Sequence, residues 1–148
     1  QKISMPTVTP ADAGTLAVNS VYHISDTAAR NWRIPSCADG RAGDFISVLY
    51  TADIGANTHT FTTTTDANYY NGSVIRVPGV GGSRVGFTDI STTNDNILTL
   101  TGHATGDVGK GTRLFFRNIT GTTNGWAVEA VVEGQGAAST GTSDTLFS

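Results

Sequence analysis

Charge is scarce in this chain. Asp, Glu, Lys and Arg make up 14% of its 148 residues, against about 25% in an ordinary soluble domain. Its polar surface must therefore be built largely from hydroxyls and amides. Basic residues are too scattered to make a nucleic-acid footprint. The formal net charge is −3, and Arg76, Arg84, Lys110, Arg113 and Arg117 are spread along the chain, where a nucleic-acid binder shows a basic stripe. The single cysteine, Cys37, excludes an intrachain disulfide and reads as a small apolar filler. No apolar run approaches the ~18 residues of a membrane span, and Gln1 to Pro6 lacks the apolar core of a signal peptide. Neither nucleic acid nor membrane is expected as a partner. Missing too is any segment of ~10 residues or more with apolar positions at the helical period.

What is abundant is threonine, at 24 residues, and glycine, at 18. Threonine is β-branched and suits a pleated, half-buried surface; glycine supplies turn positions. Short strand-like runs recur between turn clusters. Leu16 to Ile24 alternates loosely, and Asn31 to Ile34 alternates until Pro35 stops it. Phe45-Ile46-Ser47-Val48-Leu49-Tyr50 is apolar on both faces, as in a central strand packed on two sides. Thr58 to Thr65 offers mainly hydroxyls on one face, and Asp66 to Gly72 reads as a loop carrying Tyr69 and Tyr70. Ser73 to Val77, Val85 to Ile90 and Ile97 to Thr101 are further short strands, with glycine-rich loops at 79–86 and 102–111. Thr112 to Ile119, a turn ending in Asn124-Gly125, and Trp126 to Glu133 read as a β-hairpin. In its second strand Trp126, Val128, Ala130 and Val132 share one face, with Glu129 and Glu133 on the other. The expected fold is all-β: a single-domain antiparallel sandwich or jelly-roll-like barrel over residues 14–133. Extended arms at 1–13 and 134–148 flank it. No alternating βα pattern suggests a parallel sheet.

Candidate chemistry is sparse. His23, His59 and His103 lack the short-range spacing of a zinc site and read as exposed strand or loop residues. Asn94-Asp95-Asn96 reads as an Asx turn, not a calcium loop. Glu129 and Glu133 stand roughly 13 Å apart on one strand, beyond the ~5–9.5 Å that paired glycosidase carboxylates need. Gly79-Val80-Gly81-Gly82-Ser83 has no helix after it to build a phosphate site. Trp32, Trp126, Tyr69 and Tyr70 are candidate stacking platforms, with Trp126 assigned to the core and the two tyrosines to a surface contact. Asn71-Gly72-Ser73 and Asn118-Ile119-Thr120 match the glycosylation acceptor pattern. No catalytic residue, metal or cofactor is expected.

The stretch Gly109-Lys110-Gly111-Thr112-Arg113-Leu114-Phe115-Phe116-Arg117-Asn118, followed by Gly125-Trp126-Ala127-Val128-Glu129-Ala130, resembles the closing hairpin of the capsid decoration, or cement, proteins of tailed bacteriophages. The rest of the chain is similar in texture: rich in Thr, Gly and Ala, low in charge, with short polar arms. The resemblance implies a non-enzymatic virion protein on the outer surface of the capsid. Such a protein forms homotrimers and binds the major capsid protein where its subunits meet. In that setting Met5, Leu146 and Phe147 are candidate apolar anchors on the arms, which extended could reach up to about 50 Å. Tyr69, Tyr70 and Arg84 are candidate contacts on the loops. The alternative reading is a receptor- or glycan-binding module of a phage fibre or head fibre, with the same three loop residues as its contact surface. A polysaccharide-cleaving enzyme is the third.

Overall fold

The structure, a computed structural model, describes residues 10, 12–64, 70–77, 86–90, 96–101, 108–119, 121 and 125–133. Among the described residues nine strands carry the fold: β1 (Ser20–Ile24), β2 (Arg30–Ile34), β3 (Phe45–Tyr50), β4 (Thr58–Thr63), β5 (Tyr70–Val77), β6 (Gly86–Ile90), β7 (Ile97–Thr101), β8 (Arg113–Asn118) and β9 (Trp126–Glu133). The one helical element among the described residues is a 3-10 turn, Cys37–Asp39, capped by Ser36. Six strands form one sheet, in the order β1-β3-β8-β9-β5-β6, and three form a second, β2-β4-β7. The two sheets pack face to face as a β-sandwich, and no barrel closes.

Both sheets are mixed, which corrects the expected all-antiparallel pairing. β1 runs parallel to β3, β2 to β4, and β5 to β9; the remaining neighbours are antiparallel. Parallel neighbours need a long crossover, usually a helix. Here a strand of the opposite sheet serves: β2 lies between β1 and β3, and β3 between β2 and β4. The β8–β9 hairpin forms as expected, with Arg113 opposite Val131 and Asn118 opposite Trp126.

Period-two alternation explains which side chains meet. In β8 Leu114, Phe116 and Asn118 are buried and Arg113, Phe115 and Arg117 exposed. In β9 Trp126, Val128, Ala130 and Val132 turn inward. From the small sheet Trp32, Ile34, Phe61, Leu98 and Leu100 face them. An aromatic chain crosses the interface: Trp32 to Phe61 at 5.1 Å, Phe61 to Phe116 at 5.6 Å, Phe116 to Tyr70 at 5.7 Å. Each fully buried large apolar side chain contributes roughly 1.5–3 kcal/mol. Side-chain hydrogen bonds stitch the layers together. Tyr70 Oη donates to the Phe61 carbonyl (3.0 Å) and Trp126 Nε1 to the Pro35 carbonyl (2.9 Å). Asn118 Nδ2 donates to the Cys37 carbonyl (2.9 Å).

The domain begins earlier than expected. Asp12 and Ala13, assigned to the N-terminal arm, belong to the sandwich. Asp12 Oδ1 accepts from Asn31 N (3.1 Å), Ala13 N donates to Asn31 O (2.7 Å), and Thr15 bridges Arg33 in parallel. This segment covers the free edge of β2. The C-terminal arm, 134–148, lies outside the described residues.

At Gly72 the backbone of β9 crowds the position a side chain on β5 would take. The Gly72 φ of +133° would aim a Cβ at the Val128 carbonyl oxygen, 2.1 Å away. Gly55, at φ +63°, has nothing within 4 Å of the same position. Gly72→Ala is therefore expected to cost at least about 2 kcal/mol, through strain and a broken strand pair. Gly55→Ala should cost about 1 kcal/mol, through backbone conformation alone. Urea unfolding midpoints of the two variants check that order.

Candidate functional site

The outer face of the six-stranded sheet departs from the usual rule that a solvated sheet face is polar. Cross-strand register arranges its residues in rows. One row runs Val21, Ser47, Phe115, Glu129, Ser73 across β1, β3, β8, β9 and β5. The next runs His23, Leu49, Arg113, Val131, Ile75 in the same order. A third carries Phe45, Arg117, Ala127 and Asn71. Phe45 and Phe115 stack with ring centroids 5.8 Å apart, and Phe115 is 37% exposed. Six apolar side chains, Val21, Phe45, Leu49, Phe115, Val131 and Ile75, thus share a face that nothing covers among the described residues. They line or border a shallow trough of ≈ 600 Å³ that spans β1, β3, β8, β9 and β5. β3 has the two-sided apolar sequence of a central strand. Only Ile46, Val48 and Tyr50 are buried, and Phe45, Ser47 and Leu49 are left half-buried on the trough side.

Charge on this face is ordered by strand. β8 presents Arg113 and Arg117, and β9 presents Glu129 and Glu133. Among the described residues none of these four forms an ion pair; the ion pairs present join Arg30 to Asp26 and to Asp12. The outer face of the three-stranded sheet is different. Asn31 stands beside Thr60 and Thr99, and Arg33 beside Thr62 and Ile97. That is the hydroxyl-rich face expected from Thr58 to Thr65, and it is polar as a solvated face should be.

One titratable cluster lies between the sheets. His59 is fully buried, which corrects its reading as an exposed strand residue. Its Nε2 is 2.8 Å from the Ala28 carbonyl and its Nδ1 is 3.0 Å from the Tyr50 hydroxyl. A carbonyl only accepts, so Nε2 carries the proton, and in the neutral ring Nδ1 accepts from Tyr50. The ring also meets Trp32 edge-on at 5.0 Å. Burial holds His59 below its ordinary 6.5, the Ala28 hydrogen bond and Asp26 opposing and Arg30 assisting. Burial likewise pushes the Tyr50 hydroxyl well above 10. Trp32 Nε1 has no hydrogen-bond partner among the described residues. Nor does any group of three or more His, Cys, Asp or Glu gather there to hold a metal ion.

Of the residues expected at a contact surface, Tyr70 is fully buried in the aromatic chain, a correction. It opens β5 opposite Trp126, so the strand begins three residues before Ser73, where the sequence pattern places its start. Met5, Tyr69, Arg84, Leu146 and Phe147 lie outside the described residues. Trp126 is in the core as expected, and Trp32 joins it, so neither offers a stacking platform. Cys37 is buried, and burial raises its thiol pKa. Asn118 matches a glycosylation acceptor in sequence, but its side chain is buried with its amide bonded to Cys37 O and Gly121 N; Asn71 is exposed. Phe115 and Leu49 were not singled out from the sequence. For Phe115 the signal existed: it shares parity with Arg113 and Arg117, which must face water. No protein-family model, curated protein or solved structure matches the chain.

The buried imidazole gives stability a pH dependence. Between pH 6.5 and the lower folded value, the unfolded chain takes up a proton that folded His59 refuses, so stability falls as pH drops through this window and levels off beneath it. Asp44 and Asp26 are held below 3.8, chiefly by backbone hydrogen bonds from Arg41 and Ala28, and act only in more acid solution. Melting temperature should fall between pH 7.5 and 5.5. His59→Gln should melt lower at pH 7.5 but lose that slope. A variant that keeps the wild-type slope would assign it to another group.

Proposed function

We propose that the chain is a non-catalytic structural protein of a virion, decorating and stabilising a phage capsid by binding protein surfaces at junctions between capsid subunits. The observation that carries this reading is the apolar outer face of the six-stranded sheet. A solvated face of an isolated sandwich has no use for a stacked pair of phenylalanines with one ring exposed and the other half-buried, whereas an assembly interface does. The hairpin that resembles those of decoration proteins supplies the middle of that face, through Arg113, Phe115, Arg117 and Glu129. The low charge supports the same reading, because few ions need be stripped of water on docking. The glycan-binding alternative loses Tyr70 as a contact residue, since that ring is buried.

The test is co-sedimentation of the full chain with capsid shells of the encoding virus. Wild type is expected to pellet with the shells. Phe115→Asp should lower the bound fraction tenfold or more while lowering the melting temperature by only about a few degrees, because the side chain faces outward and gives up chiefly its stack on Phe45. A chain that ignores shells and binds strongly on a glycan array would overturn the reading.

A further inference from the structure

The side-by-side columns of opposite charge on β8 and β9 make the apolar face complementary to itself. We infer that a second copy of this chain covers it, the two six-stranded sheets stacking face to face about a two-fold axis along the β8–β9 seam. The inference rests on the decoration reading only in taking this face as an assembly surface; it gives the face to a second copy, so that the pair docks on the capsid by its remaining surfaces, and it puts a two-fold dimer in place of the homotrimer that the resemblance implies.

The geometry follows from the register. A two-fold axis along the seam lays each copy's β8 over the other's β9. Arg113 lies opposite Val131 within the chain, so across the axis it stands over the second copy's Val131, flanked by that copy's Glu129 and Glu133. Cations then meet anions at both ends of the seam. An axis across the strands would instead put arginines over arginines. The apolar side chains of the two copies meet between these charges, as the inner faces of two sheets do in a sandwich, ≈ 10 Å apart. The two-sided apolar sequence of β3 then has a partner on both sides: the small sheet within the chain, and the second copy beyond Phe45 and Leu49.

Size is consistent with this. Strands lie about 4.8 Å apart, and rows about 6.7 Å apart. Five strands and three rows therefore cover roughly 500 Å² per copy, or about 1,000 Å² for the pair, which reaches the lower bound of a specific interface. The exposed Phe115 is the natural anchor at its centre.

Two charge variants of the full chain test it by native mass spectrometry and sedimentation velocity. Arg113→Glu with Arg117→Glu makes both columns acidic; Glu129→Arg with Glu133→Arg makes both basic. Wild type is expected to be a dimer. Each variant alone should dissociate at least tenfold more readily. An equimolar mixture of the two should recover a heterodimer, since each acidic column then lies over a basic one. A wild-type monomer or trimer would overturn the inference, as would variants that each keep the wild-type dimer fraction. Shell binding is read separately. A monomer that still pellets with shells removes the pairing and leaves decoration standing; a dimer that does not pellet keeps the pairing and removes decoration.

Discussion

The seam between the two sheets is the constraint on which everything else depends. Neither sheet hides its apolar face alone, and the small one has three strands among the described residues. Trp32 and Phe61 from the small sheet close onto Phe116 and Tyr70 from the large one. The polar tips of these aromatic layers are then satisfied across the gap: Tyr70 by the Phe61 carbonyl, Trp126 by Pro35, Tyr50 by His59. Burying a hydroxyl or indole N–H without a partner costs about 1–3 kcal/mol. These hydrogen bonds therefore do more than add attraction: they penalise any sliding of one sheet over the other. Trp32 Nε1, without a partner among the described residues, shows that apolar packing outweighs one missing bond.

With the inner faces fixed in this way, the outer faces are free to differ. The small sheet turns asparagine and threonine outward, the ordinary solution for a sheet wetted on one side. The large sheet turns out phenylalanine, leucine and valine among paired columns of charge. A chain with so few ionic residues places four of them on two adjacent strands, at the middle of its most apolar surface. That placement is economical for recognition: apolar area supplies attraction, and the charges restrict which orientations are allowed.

Much of the architecture was legible where local pattern decides it. The alternation in Trp126 to Glu133 gave the buried face of β9 outright, and the Thr58 to Thr65 hydroxyls marked the wet side of β4. What escaped was set by distant parts of the chain. A crossover made by a strand carries no helical periodicity, so nothing in the residues between β1 and β3 announces that these two run parallel. Tyr70 sits at the end of a polar segment and becomes a core residue only because β5 pairs with β9. His59 lies among threonines that face water, and its burial follows from parity with Phe61. Phe115 shows the opposite case: its exposure is implied by the arginines two places away on each side, although Phe116 beside it is buried.

The interleaved crossovers carry a kinetic consequence. Because β1 waits for β3 and β2 waits for β4, and the chain visits the opposite sheet between each pair, neither layer can be finished before the other. Early hairpins have little to work with outside β5–β6 and β8–β9. Proteins dominated by such non-local pairings fold slowly, on scales of milliseconds to seconds. The apolar outer surface gains its final shape only at the end of that process, when β3 and β8 are both in place. A nascent or partly folded copy therefore lacks the finished patch, and premature association of immature chains through it is disfavoured by topology itself.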